Sequence, residues 1–166
     1  AVGVNRVPVP SAGTSRTVQA GETVVLDGTG SLDADGDGLT YSWVRTGGPA
    51  TALVDAATAR ASFTAPAGGG TLTFRLAVSD GRGGSASADV TISVNRPPTV
   101  TPSVPTGPFN PGISVAFGAS AADPDGDGLS YSWSQTLGAA VLRRPVAGGF
   151  WIGTGTGWST AAGPAV

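Results

Sequence analysis

Asp33, Asp35 and Asp37 alternate with Ala34 and Gly36 in one short turn, and the same trio returns ninety residues later as Asp123, Asp125 and Asp127. Three carboxylates this close repel one another, by about 1 kcal/mol per pair near a wet surface. A hard divalent cation removes that repulsion. Ca²⁺ takes about six to eight oxygens at roughly 2.3–2.6 Å, and alternate residues of a tight glycine-containing loop can present them. Asp–Gly pairs also build ordinary turns that need no metal, because both residues favour turn conformations. At the level of the turn alone, both readings stand.

The trio opens an eleven-residue string, Asp33 to Trp43, that recurs as Asp123 to Trp133. The string runs from the acidic turn into an alternating apolar segment, Leu39, Tyr41 and Trp43, which reads as a strand. A twelve-residue EF-hand loop would need Glu at its last position and helices on both sides. Val44 stands there, and the flanks are strand-like, so the turn is not an EF-hand. The repeat predicts two tandem modules, and its spacing suits a small β-sandwich.

The elements that must position the turns follow a period of two. Thr23 to Leu26, Leu39 to Val44, Ala59 to Phe63, Thr71 to Val78 and Ser85 to Val94 read as strands broken by Gly, Pro and Asp. Leu72, Phe74, Leu76 and Val78 face inward, as do Ala86, Ala88, Val90, Ile92 and Val94. Weaker strands fall at Arg16 to Val18 and Ala52 to Val54. The fold class is therefore all-β, with two sandwich units. The first spans 1–95 and is complete. The second starts at 96 and follows the first to about 141. Residues 142–166 form an off-pattern tail rich in Gly, Thr and aromatics. Lacking its last strands, the second unit would expose core and strand edges.

Composition narrows the function. Only 12% of the 166 residues are charged, and the nine basic residues are all arginine, scattered along the chain. With net charge −2 and no basic patch, nucleic acid is not an expected partner. No apolar run reaches membrane-spanning length. There is neither Cys nor His, so thiolate sites, disulfides and the commonest general base are absent. No Ser or Thr lies in a nucleophile motif, and no enzyme activity is expected. Without a methionine, the chain reads as a piece of a longer protein.

The first unit resembles a polycystic-kidney-disease (PKD) domain of the Asp-x-Asp-Gly-Asp type. The resemblance rests on Ala20-Gly21-Glu22, Val25 to Ser31, Asp33 to Trp43, Gly48-Pro49, Phe63 to Pro66, Leu72 to Ser79, Asp80 to Gly84 and Val94-Asn95. It covers nearly all of residues 8 to 95. The Trp-x-Phe-Gly-Asp-Gly hallmark of better-known members is replaced by Trp43-Val44-Arg45-Thr46-Gly47. The resemblance implies an immunoglobulin-like sandwich of about seven strands, with Trp43 and Trp133 in the cores. It also implies a non-catalytic extracellular or cell-surface module: a spacer, an adhesive element or a polymer-binding accessory. In bacteria such modules often sit beside domains that degrade chitin or other polymers. The expected partners are neighbouring domains of a larger protein, and a polysaccharide or surface protein.

In that topology the loop between the second and third strands, the loop before the last strand and the start of the first strand share one end. That end would gather Asp33, Asp35 and Asp37 with Asp80 and Asn5 around Ca²⁺. The second unit repeats Asn95, Asp123, Asp125 and Asp127 but lacks a counterpart of Asp80. A cation there would stiffen the chain between modules. Two alternatives stay open. Phe150, Trp151 and Trp158 could stack on sugar rings, making a carbohydrate-binding module. A partner chain could instead donate strands to the open second unit in a self-assembling subunit.

Overall fold

Leu72, Phe74, Leu76 and Val78 are buried, while Arg75 and Ala77 between them are exposed and Thr73 is half-buried. This alternation makes residues Gly70–Ser79 a strand with one wet face. The computed structural model describes residues 4–106, 108–110, 113–134, 142–146 and 149–152, the last two segments in their main chain. Its strands are β1 (Arg16–Gln19), β2 (Thr23–Asp27), β3 (Thr40–Gly47), β4 (Arg60–Thr64), β5 (Gly70–Ser79), β6 (Ser85–Asn95), β7 (Thr99–Ser103), β8 (Val115–Ala122), β9 (Leu142–Val146) and β10 (Gly149–Ile152). The architecture is the expected all-β one. The chain divides into two compact units, Ala1–Arg96 and Pro97–Val166.

In the first unit one sheet has the order β1-β6-β5-β3 and the other is the antiparallel pair β2-β4. Val24 and Leu26 of β2 and Ala61 and Phe63 of β4 meet Trp43, Leu72, Phe74, Leu76, Val78, Val90, Ile92 and Val94 in a single buried cluster. Phe63 and Phe74 join the two sheets, their ring centroids 4.6 Å apart at a tilt of 38°. Burying an aromatic side chain of this kind contributes about 1.5–3 kcal/mol relative to leaving it exposed. β1 runs parallel to β6, pairing Arg16 with Ile92 through Gln19 with Asn95. The remaining contacts of the large sheet are antiparallel. The outer edge of β3 is partly covered, since the Trp43 backbone N–H donates to the Ala56 carbonyl at 2.8 Å.

The second unit holds a sheet of order β7-β8-β10-β9. Residues 142–146 and 149–152, which the sequence places in an off-pattern tail, are its strands β9 and β10. Pro102 in β7 and Pro145 in β9 lie on the two edge strands, where a missing N–H leaves no ladder bond unmade. Trp133 departs from expectation. It is half-buried, and Leu129 to Trp133 do not form a strand. In the first unit β3 is held by a long pairing with β5, with Trp43 opposite Leu76. The described residues of the second unit contain no such partner for this segment. Val115 is the one buried hydrophobic side chain among them, while Val100, Val104, Phe109 and Ile113 are exposed.

Candidate functional site

The two acidic turns fold alike because the first Asp of each closes a loop onto backbone. Asp33 Oδ1 accepts the N–H groups of Asp35 at 2.8 Å and Asp37 at 3.2 Å. Asp123 Oδ1 accepts those of Asp125 at 2.8 Å and Asp127 at 3.3 Å. Gly36 and Gly126 take φ of +78° and +82°, a conformation that needs no Cβ. Their N–H groups return to the carbonyls of Asp33 and Asp123. Part of the acidic string is thus spent on building the turn itself.

In the first unit two further segments meet this turn. The leading segment, residues 4–9, is tied down by a backbone bridge between Val9 and Leu32. The turn between β5 and β6 supplies Asp80, which is 4% exposed. Asn5 Nδ2 donates to Asp80 Oδ2 at 2.7 Å, and the N–H groups of Arg82 and Gly84 donate to Asp80 Oδ1 at 2.7 and 2.9 Å. The Asn5 amide first, then these N–H groups, hold the Asp80 carboxyl below its ordinary range, while burial works the other way. Asp80 therefore stays ionised in a nearly closed setting. Gly84 comes so near that a Cβ there would overlap Asp80 Oδ2.

The other carboxylates face arginines. Arg82 Nε lies 2.7 Å from Asp37 Oδ1, and the Asp37 side chain is only 12% exposed. Arg6 donates from its backbone N–H to Asp35 Oδ2 at 2.7 Å and from Nη1 to Asp35 Oδ1 at 3.3 Å. Asp33 Oδ2 is buried and lacks a hydrogen-bond partner. No group of three acidic side chains set to hold a metal occurs among the described residues. So the fold brings Asn5 to Asp80, and Asp35 and Asp37 to arginines that sequence reasoning did not assign. Asn95 ends β6, and its carbonyl accepts the Ala20 N–H. Asp123 is half-buried, and Asp125 and Asp127 are exposed. Trp43 is buried and is thus unavailable to a sugar; Trp158 lies outside the described residues.

A family model described as K319L-like, PKD domain, matches residues 12–94, which is the first sandwich from before β1 to the penultimate residue of β6. The chain belongs to the PKD domain family. Chitinase A of Pseudoalteromonas piscicida is 36% identical over 136 residues, which cover 78% of this chain and 16% of the chitinase. The chain therefore spans a small fraction of that relative. The solution structure of the PKD domain from KIAA 1837 protein is 26% identical, covering 61% of this chain and 91% of that one at a TM-score of 0.47. The N-terminal eight Ig domains of Down Syndrome Cell Adhesion Molecule share the fold, with 14% identity, 98% of this chain and 24% of that chain covered, and a TM-score of 0.59. An Ig-like sandwich and a PKD assignment agree with the reading of the sequence. No helix among the described residues is long and apolar enough to cross a membrane.

Proposed function

We propose that this PKD chain is a non-catalytic accessory module of a secreted, polysaccharide-degrading protein, and that it works as a spacer held outside the cell. The observation that carries this reading is the match to a small part of a chitinase by a chain whose residues 12–94 match a PKD domain. The chemistry at the loop end supports it. Asp80 is occupied by three structural donors, and Asp35 and Asp37 by guanidinium groups, so these three carboxylates serve the structure of the loop end. Incubating the isolated chain with colloidal chitin tests the reading. Neither soluble sugar nor depletion of the chain by the pellet is expected. Release of sugar would make it an enzyme, and sedimentation with chitin would make it a polymer-binding module.

The second part of the proposal is a cation at the acidic turn of the first unit. It rests on Asp33 Oδ2, a buried oxygen without a partner. Asp33 and Asp37, with the nearby backbone carbonyls, would supply hard oxygens to Ca²⁺. Arg82 occupies Asp37 in this structure, so the ion would have to displace that guanidinium. A bound ion would lock the loop end and stiffen the module. Calorimetric titration with Ca²⁺ should give a binding heat that Asp33→Asn abolishes. An athermal titration with no change in melting temperature on adding EDTA would remove this part and leave the spacer reading intact.

A further inference from the structure

The chain contains six Asp–Gly bonds, at Asp27, Asp35, Asp37, Asp80, Asp125 and Asp127. Such bonds rearrange when the glycine nitrogen reaches the aspartate side-chain carbon, because glycine offers no Cβ to obstruct the approach. The fold ties up four of the six nitrogens. Gly28 N–H donates to the Ala59 carbonyl at 2.8 Å, Gly36 to Asp33 at 3.3 Å and Gly126 to Asp123 at 3.2 Å. Gly81 N–H donates to Ser79 Oγ at 3.3 Å. Gly38 and Gly128 are exposed, and their N–H groups have no partner among the described residues.

These two bonds lie at the same place in the repeated string, and the local sequence from Asp to Trp is nearly the same. What differs is the carboxylate. Asp37 is held by Arg82 and is 12% exposed in its side chain. Asp127 is exposed, with neither an ion pair nor a side-chain hydrogen bond among the described residues. We propose that Asp127–Gly128 is a site of spontaneous covalent modification, isomerisation of aspartate to isoaspartate, and that Arg82 protects the matching Asp37–Gly38 bond in the first unit.

The step balances without a co-reactant. The Gly128 nitrogen attacks Cγ of Asp127 and forms a new N–C bond. The carboxyl oxygen departs as water with the amide proton, leaving a five-membered imide. Water then adds to either imide carbonyl. Addition at the side-chain carbonyl restores aspartate. Addition at the main-chain carbonyl leaves the backbone running through the side-chain carbon, one methylene longer, with a new α-carboxylate. The water released equals the water consumed, so the mass is unchanged. Arg82 slows the reaction at Asp37 by fixing the carboxylate, so that Cγ cannot turn toward the Gly38 nitrogen.

The test is an incubation of the whole chain at neutral pH and 37 °C with EDTA present, so that no cation shields either turn. Isoaspartate at each position is counted by peptide separation and by methyl transfer from an L-isoaspartyl carboxyl methyltransferase. Asp127 should accumulate it about fivefold faster than Asp37, a ratio equal to about 1 kcal/mol in barrier. In strong denaturant the two rates should converge. Arg82→Ala should bring Asp37 up to the rate of Asp127 and leave Asp127 alone. If circular dichroism finds that variant unfolded, Arg82→Gln takes its place. Equal rates at the two positions in the folded chain, or an Asp37 rate indifferent to loss of Arg82, would overturn the proposal.

Discussion

Asn5 Nδ2 and Asp80 Oδ2 lie 2.7 Å apart although 75 residues separate them in the chain. The bond joins the leading segment to the turn between β5 and β6, and Asp80 takes two further N–H donors from that turn. One nearly buried carboxylate therefore fixes two loops at once.

Truncating Asn5 to Ala removes one of the three donors that hold Asp80 and unties the leading segment from the turn between β5 and β6. The melting temperature of the first unit should fall by about 5 °C. Hydrogen exchange should rise in residues 4–9 and 80–84 and stay constant in β5 and β6, which checks that the loss is local.

Gly84→Ala should act on the same contact from the other side, since the added methyl would overlap Asp80 Oδ2. The carboxylate must move and release Asn5. The double variant with Asn5→Ala should therefore melt close to Gly84→Ala alone, and a strictly additive double-mutant cycle would count against the shared mechanism.

Acid should weaken the first unit through three carboxyls. Asp80 is held low chiefly by Asn5, Asp27 by the Thr29 hydroxyl and N–H and then Arg60, and Asp89 by the Arg75 guanidinium. A depressed folded-state value means the unfolded chain binds more protons, so this stabilisation is complete above the ordinary value of about 4 and is lost as pH falls through the folded values. Melting temperature should hold from about pH 7 to pH 5 and drop below about pH 4. Asp80→Asn should flatten that acid limb, as calorimetry across the range would record.

Phe74→Ala should cost about 3–5 kcal/mol, because Phe74 is fully buried and joins the sheets through Phe63. Urea denaturation should lower the midpoint of the first unit without changing the slope.

If Ca²⁺ binds at the first turn, Arg82→Ala should raise its affinity. The guanidinium, itself largely exposed, competes for Asp37, and releasing such a surface ion pair is worth up to about 1 kcal/mol, or about fivefold in Kd. Affinity unchanged in this variant would place the ion away from Asp37.

The strands of the first unit were legible because their burial alternates. Leu72 to Val78 and Val90 to Val94 announce one wet face, and the structure buries those side chains. The gathering of Asn5 and Asp80 at one end followed from sandwich topology. The arginine partners were not legible. Whether Arg82 meets Asp37 depends on how two turns lie side by side, and nothing in the spacing of either turn encodes it. The strands at residues 142–146 and 149–152 escaped notice for a different reason. Leu142-Arg143-Arg144-Pro145-Val146 neither alternates nor avoids proline, and such a segment pairs only at a sheet edge, where β9 sits. Trp133 carries the same string as Trp43 but is half-buried, and among the described residues no strand pairs with its segment as β5 pairs with β3.

The parallel pairing of β1 with β6 has a consequence for a chain under tension. These are the first and last strands of the unit, lying side by side and pointing the same way over Arg16–Gln19 and Ile92–Asn95. Force applied to the two ends pulls β1 and β6 in opposite senses along their length, in shear. All the rungs of that ladder are then loaded together, where an antiparallel terminal pair would unzip one rung at a time.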